Sequence, residues 1–527
     1  MLFHTYTFLL FFIIFIAFYA ATGKNLRLQN LVLLVFSYLF YAGWDERFLI
    51  LIAGSTACDY IAGLGMARLG DVRRRACTAA AAVLALSVVV LLPSFGESGH
   101  FLAFVAAGTV AFLAVVFILE GRHWANRRRH YLTLSIVLNL GLLGVFKYFD
   151  FFARSLFDLG QAAGITIDDF TLNVVLPVGI SFYTFQTMSY TIDVYRKRIP
   201  ATENIVQFAA FVAFFPQLVA GPIERAAHLL PQFAKRRQLT WDNFQSGATL
   251  FTWGLFKKAV VADHLAAVSD KVFANPEAYS SGDIVVALIA FTFQIYGDFS
   301  GYSDMARGIG RILGFDIMLN FNLPYIARTP SEFWRRWHMS LSTWLRDYLY
   351  IGLGGNRHGT FNTYRNLALT MLLGGLWHGA NWTFVFWGAY QGLLLVIYRM
   401  LHIDDHLAAL NARGGSSALA SNLIAWGVMF VLIVFGWLLF RATSIDHVMR
   451  MLEVFTMDIS LRSALWLDIG RVLLPLFFIQ ALQISKKQLE VLPALPVWLR
   501  YHVGVFVLWS VLFGAARGTR EFIYFDF

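Results

Sequence analysis

Apolar residues in this chain come in long runs separated by short polar links, and within the runs they favour no single face. A bilayer-spanning helix takes about 20 mostly apolar residues, so the runs predict membrane helices. In the N-terminal part they fall at 4–21, 30–43, 48–66, 77–93, 101–119, 131–153 and 174–194. The links between them alternate in charge. Lys24–Arg27, Arg68–Arg75, Arg122–Arg129 and Arg196–Arg198 are basic, whereas those around Asp45, Pro93–His100 and Asp158–Asp169 are neutral or acidic on balance. Seven crossings require such alternation, and a cytoplasmic excess of Lys and Arg places the N-terminus outside and Arg196–Arg198 in the cytoplasm. Met1–Ala20 has no basic stretch ahead of its apolar run, which predicts a retained first helix rather than a cleaved signal peptide.

Phe208–Gly221 is apolar but short, contains Pro216 and runs into Gly221-Pro222, then a basic stretch at Arg225–Arg237. A re-entrant or interfacial segment is expected there rather than a crossing. Further apolar segments lie at 247–266, 284–299, 366–378, 382–400, 421–440, 470–483 and 499–514, several of them short of a full span. The link from Ser300 to Arg365 is the longest polar region, yet it is too rich in Phe, Trp, Tyr and Leu to be disordered. The pattern therefore predicts an all-α polytopic membrane protein with roughly 11 to 14 transmembrane or re-entrant helices, plus interfacial amphipathic helices.

Composition narrows this further. Charged residues make up 14% of the chain and hydrophobic ones 58%, against about 25% charged in soluble domains, which excludes an ordinary soluble enzyme. No hydrophilic block is long enough for a separate soluble domain. A single membrane domain over 1–527 is expected, with N-terminal helices in 1–195, a core in 196–400 and C-terminal helices in 401–527. The net charge of +10 sits in short clusters between apolar runs, which fits topology signals and lipid contact rather than nucleic acid. Cys58 and Cys77 form no CxxC or Cys/His cluster, so neither a disulfide framework nor a metal site is indicated.

Two histidines carry the candidate chemistry. Thr329-Pro330-Ser331-Glu332 has the form of a capping box, and a helix should start there. On a helical wheel Phe333, Trp334, Trp337, Leu341, Trp344, Leu345 and Tyr348 share one arc, with Arg335, Arg336, Thr343 and Arg346 away from it. His338 then falls at the edge of the apolar arc of an amphipathic helix. It is either a structural histidine, bonded to a carbonyl or to Asp347, or a general base kept neutral by burial. The second site is Gly374-Gly375-Leu376-Trp377-His378-Gly379-Ala380-Asn381-Trp382, between two apolar runs that together exceed one span. His378 should sit beside a backbone break at membrane depth, as a functional group or as an interhelical hydrogen-bonding residue. Asp193, Asp298, Asp304, Asn320 and Asn322 are expected either as partners that support the site residues or, in the first place, as helix caps, and Gly308–Gly314 as a helix-packing surface. No P-loop, HExxH or nucleophile-elbow sequence occurs.

Ser331-Glu332-Phe333-Trp334-Arg335-Arg336-Trp337-His338-Met339-Ser340-Leu341-Ser342, Tyr348-Leu349-Tyr350-Ile351 and Gly375-Leu376-Trp377-His378-Gly379-Ala380-Asn381 resemble the membrane-bound O-acyltransferase family, in particular its alginate O-acetylating branch. Supporting segments are Leu176–Phe185, Ala220-Gly221-Pro222-Ile223, Asp298–Asp304 and Phe522–Phe527; the basic, Ala-rich region 71–130 matches no family pattern. The resemblance implies helices around a central tunnel, with His378 inside it and His338 near the cytoplasmic mouth. It also implies catalytic roles for both histidines and substrate contacts from Arg335, Arg336, Trp377 and Asn381, with the arginines meeting donor phosphates and Asn381 an oxyanion. No bound cofactor is implied. Acetyl would come from cytoplasmic acetyl-CoA and cross the bacterial inner membrane to periplasmic acetyltransferase or acetyl-carrier partners that modify an exopolysaccharide, alginate first among them. The other readings are a transporter of acyl groups or protons, and a non-catalytic scaffold of a polysaccharide-modifying complex.

Overall fold

A computed structural model describes residues 1–91, 95–121, 126–165, 168, 170–457, 460–516, 520, 522 and 523, without the side chains of 95–100. The regular elements among the described residues are all helical. Seven helices are long and apolar enough to cross a membrane: Phe48–Ala67, Val72–Leu91, Phe101–Gly121, Arg127–Ala162, Ser281–Ile312, Gly415–Arg441 and Leu465–Lys486. An eighth is reached if Trp382–Met400 and Ile403–Arg413, bent by 53° at their junction, form one broken span. The protein is thus a multi-pass membrane protein. Its apolar residues face outward as well as inward: on Phe101–Gly121, Phe104, Val110 and Ile118 are exposed, as suits a surface bathed in lipid.

Several expected boundaries shift. Tyr6–Ala21 and Leu26–Ala42 are helices of 16 and 17 residues, shorter than a full span. The run at 174–194 becomes helical only from Ile180, after the left-handed Gly179, and lasts 16 residues. Phe208–Gly221 holds parts of two short helices, Ile205–Val212 and Phe215–Leu218, whose residues from Phe208 onward are buried in protein. The supposed polar link from Ser300 begins inside a helix, because Ser281–Ile312 runs for 32 residues.

The chain forms two compact units. The first comprises Met1–Asn243 together with Leu313–Ile317. In its interior Asp59 is fully buried and accepts from the Ser135 hydroxyl at 2.6 Å and the Asn139 amide at 2.8 Å, so three spans or near-spans share one hydrogen-bonded cluster that also reaches Thr191. Leu313–Ile317 docks as a short strap. Tyr19 donates to the Leu313 carbonyl, and the Phe315 ring lies 4.5 Å from Phe214 and 4.8 Å from Phe233, with the Arg237 guanidinium 4.6 Å above it. Gln232 closes two hydrogen bonds with the Asp316 backbone. His228 reaches buried Glu224 at 2.9 Å and Asp316 at 3.3 Å.

The second unit comprises Phe244–Ile312 and Met318–Phe527. Ser281–Ile312 is its spine. It lies against the helical stretch from Phe244 through facing glycines: a Cβ on Gly301 would stand 2.7 Å from the Gly254 oxygen, and one on Gly308 2.6 Å from the Gly247 oxygen. Gly308 therefore serves helix packing, as its sequence setting suggests. Two successive lysines in a π-helical stretch, Phe256–Ala262, also meet the spine: Lys257 pairs with Asp304 at 2.7 Å, and Lys258 with Asp298 at 2.7 Å and Asp263 at 2.9 Å. Asp298 and Asp304 are thus mid-helix ion-pair partners, not caps. In the first unit Asp193 likewise pairs with Arg198 instead of capping.

Two outcomes follow. Gly308→Ala would force backbones apart and cost about 1–3 kcal/mol, lowering the thermal midpoint in detergent, whereas Gly427→Ala, inside a helix with nothing within 4 Å of its Cβ, does not lower it. For His228, the Glu224 hydrogen bond, opposed by burial and aided by both carboxylates, raises the pKa to about 9. Because the folded pKa lies above the unfolded one, its stabilisation is complete below about pH 6.5 and is lost as pH rises through about 9. Thermal midpoints measured across that window should fall more for the wild type than for His228→Gln.

Candidate active site

The first histidine sits at a break between two short helices. Thr329 caps Pro330–Trp334 by accepting from the Glu332 N–H at 3.2 Å, and Pro330 takes the first helical position, where a missing N–H costs nothing. The reciprocal half of the capping box is displaced by one residue: Glu332 accepts from the Arg328 N–H at 3.0 Å. Burial works against the Glu332 carboxylate, but the Arg328 N–H and the Arg328 and Arg336 charges outweigh it and hold its pKa below the usual value.

The unbroken amphipathic helix expected from the wheel does not form. Helix Pro330–Trp334 ends after five residues, and His338 adopts a left-handed conformation with φ 41° and ψ 54°. A second helix, Met339–Trp344, then runs into a π-helical turn at Leu345–Tyr350. The inside-outside pattern survives the break: Phe333, Trp337, Leu341, Trp344 and Leu345 are buried while Arg335 and Arg346 are exposed. His338, however, is fully buried rather than at the edge of an apolar arc, and Asp347 pairs with Arg346.

The second histidine ends the helix Gly359–His378. Gly379 is extended, and Trp382–Met400 starts after the Asn381 cap, so the expected break at His378 is present. The two helices pack tightly: a Cβ on Gly375 would overlap the Phe384 carbonyl, and one on Gly388 would lie 2.5 Å from the Met371 oxygen. His378 Nδ1 lies 2.7 Å from the Gly374 carbonyl oxygen one turn back. A carbonyl can only accept, so Nδ1 carries a proton, and Nε2 is the nitrogen that holds the lone pair when the ring is neutral.

The two imidazoles come together. Their ring centroids are 6.4 Å apart, nearly edge to face. Trp377, also buried, borders both, at 5.0 Å from His378 and 5.9 Å from His338. Trp387 at 4.9 Å and Phe440 at 5.5 Å surround His378, and Phe299 stands 4.6 Å from His338. His338 lies in a connection outside the candidate spans, and burial, reinforced by neighbouring His378, holds its pKa well below the usual histidine value. It is a neutral ring at physiological pH.

The remaining sequence candidates separate. Asn381 accepts from the Thr383 N–H at 3.0 Å and donates one of its two amide hydrogens to the Thr443 carbonyl at 3.0 Å. Arg336 is tied to Glu332 at 3.0 Å and to the Asn322 carbonyl at 3.1 Å. Exposed Arg335 bonds the Ser331 carbonyl through Nε. Both arginines line a cleft of about 460 Å³ with Arg328, Glu332, Asn322 and Asp404. Asn322 engages Arg336 through its backbone rather than capping a helix. Among the described residues no group of three or more His, Cys, Asp or Glu side chains could hold a metal ion.

Phe299, Trp387 and Phe440 were not singled out in the sequence, since an aromatic inside an apolar run looks the same whether it faces lipid or a histidine.

Comparison with known proteins identifies the family. The model of the membrane-bound O-acyltransferase family matches residues 182–440, which include both histidines. A protein of Pseudomonas aeruginosa named "Probable alginate O-acetylase" is 43% identical over 457 residues, covering 86% of this chain and 74% of that protein. A protein of the same name from Azotobacter vinelandii is 44% identical over 426 residues, covering 81% and 72%. The peptidoglycan O-acetyltransferase of Helicobacter pylori is 37% identical over 352 residues, covering 62% and 64%. With the histidine pair buried in an all-helical membrane protein and relatives more than 40% identical over most of this chain, the chain belongs to the membrane-bound O-acyltransferase family and is an acyltransferase.

Proposed function

We propose that this acyltransferase takes acetyl from cytoplasmic acetyl-CoA and passes it across the bacterial inner membrane for O-acetylation of an exopolysaccharide, alginate. The names of the relatives support the acetyl group and the polymer. The observation that carries the mechanism is the buried pair of imidazoles, with His378 Nδ1 committed to the Gly374 carbonyl.

In this mechanism donor and acceptor reach the histidines from opposite ends of a tunnel. His378 Nε2 takes the proton of the acceptor hydroxyl as its oxygen attacks the thioester carbonyl. The tetrahedral adduct collapses with cleavage of the C–S bond, and the departing thiolate takes the proton from His378. The products are an O-acetyl ester and CoA thiol, with no net gain or loss of protons. The aromatic shell keeps water out, which strengthens every electrostatic interaction inside and protects the thioester from hydrolysis. His338, neutral and in ring contact with His378, orients the donor or serves as the second proton-transfer group. Arg335 meets the CoA phosphates in the cleft it shares with Arg328 and Arg336, as charge-assisted hydrogen bonds to phosphate require. The acceptor hydroxyl belongs to a periplasmic acetyltransferase or carrier protein, whose ester is then cleaved by attack of a polymer hydroxyl, leaving the polymer acetylated and the partner's hydroxyl free.

The test is release of CoA thiol from acetyl-CoA by the protein in nanodiscs, with acceptor partner supplied. His378→Ala should lower the rate by about 100-fold or more, the range of general-base catalysis, while remaining folded; a folded variant with wild-type release overturns the assignment. Arg335→Ala should raise KM for acetyl-CoA roughly tenfold, the effect of losing one charge-assisted contact, and leave KM for acetyl-pantetheine, which lacks the nucleotide phosphates, unchanged. Equal effects on both donors would remove Arg335 from phosphate recognition.

A further inference from the structure

The backbone at His338 needs an explanation. A non-glycine residue in the left-handed region is strained and persists only where its surroundings over-determine it. Here the surroundings are a second segment, Asn320–Asn322, running beside the turn. Before His338, the Asn322 N–H donates to the Arg336 carbonyl at 2.9 Å; after it, the Met339 N–H donates to the Asn320 carbonyl at 2.9 Å. The turn is thus gripped on both sides of the histidine.

The Asn320 side chain adds the rest. Fully buried, it accepts at Oδ1 from the Ser340 hydroxyl at 2.9 Å and the Ser340 N–H at 3.3 Å. That N–H belongs to the first turn of Met339–Trp344, so Asn320 caps a helix of which it is not part. Its Nδ2 donates to the Ser303 hydroxyl at 3.2 Å. Ser303 lies one turn beyond Phe299 on the spine helix Ser281–Ile312, on the same face, and Phe299 is the ring that meets His338 at 4.6 Å. One helix therefore supports the imidazole directly through Phe299 and indirectly through Ser303 and Asn320.

We infer that Asn320 is a positioning residue for acyl transfer: by locking the left-handed His338 turn to the spine helix it fixes the His338 imidazole against Phe299 and His378. The inference rests on the reading of the histidine pair given above. It separates Asn320 from an ordinary buried amide, because its effect should appear in the chemical step and not in donor binding.

The experiment uses full-length protein in nanodiscs with acetyl-CoA and acceptor partner, alongside spectra of protein carrying 15N-labelled histidine. Asn320→Ala should lower kcat by about tenfold or more while KM for acetyl-CoA stays within about threefold, the pattern of a group that sets geometry. Asn320→Asp supplies a readout that a purely structural role would not move. Its protonated carboxyl reproduces both hydrogen bonds, donating to Ser303 and accepting from Ser340, whereas its carboxylate can only accept, which makes Ser303 turn its hydroxyl round and leaves an added buried charge against the His338 turn. The ratio of its kcat to that of the wild type should therefore rise as pH falls from about 8 to about 6, the range into which burial moves a carboxyl.

Wild-type kcat in folded Asn320→Ala, or a pH-independent Asp ratio, overturns the inference. If Asn320→Ala does not fold, Ser303→Ala removes only the anchor to the spine and should still reduce kcat with KM kept; an unchanged kcat overturns the clamp. Failure of the wild type to release thiol would defeat the acyl-transfer reading instead. The clamp is then decided by the His338 ring resonance, assigned by its loss in His338→Gln: it should shift or broaden in the Asn320 or Ser303 variant, and an unchanged signal overturns the inference.

Discussion

A helix broken in apolar surroundings exposes N–H and C=O groups that lipid cannot satisfy, and the histidine-bearing unit is organised around satisfying them. Both histidines sit at such breaks. At His378 the released chain is recovered by Asn381, which caps the next helix and holds the Thr443 carbonyl. At His338 the recovery comes from Thr329 on one side and from the Asn320–Asn322 segment on the other. The breaks put one imidazole on the last residue of a helix and the other on a left-handed turn, where the two rings meet. Continuous helices would keep their backbone bonds at the cost of that approach.

The charged residues obey the same economy. Lys257, Lys258, Asp298 and Asp304 are buried or nearly so on the spine helix and its neighbour, where an isolated charge would be prohibitively costly, and each is matched within 2.9 Å. Facing glycines allow the two backbones to approach closely enough for the short reach these pairs require. Packing and charge matching thus depend on one another along Ser281–Ile312, the helix that also presents Phe299 to His338.

Much of this was legible from residue order. The apolar runs identified most of the spans, because length and hydropathy are properties of a contiguous stretch. The break at His378 was legible because two apolar runs there exceed one span and glycines flank the junction. The setting of His338 was not, since a helical wheel assumes one continuous helix and nothing local marks a histidine for left-handed backbone. What bends the chain there is Asn320, which touches the turn only once the fold exists. The ion pairs of Asp298 and Asp304 are hidden for the same reason: their lysine partners lie some forty residues earlier in the sequence. At Asn381 residue order showed the motif but not that its amide is engaged by its own helix start and by Thr443.

The strap Leu313–Ile317 bears on how the chain matures. Its Phe315 fills an aromatic site built by Phe214 and Phe233, yet the ribosome must add about eighty more residues after Phe233 before Phe315 exists. At roughly 5–20 residues per second, that site waits on the order of ten seconds in the membrane. The N-terminal unit therefore cannot complete itself in order of synthesis. It is finished by a piece of chain delivered from the far end of the spine helix, and its maturation is tied in time to insertion of that helix.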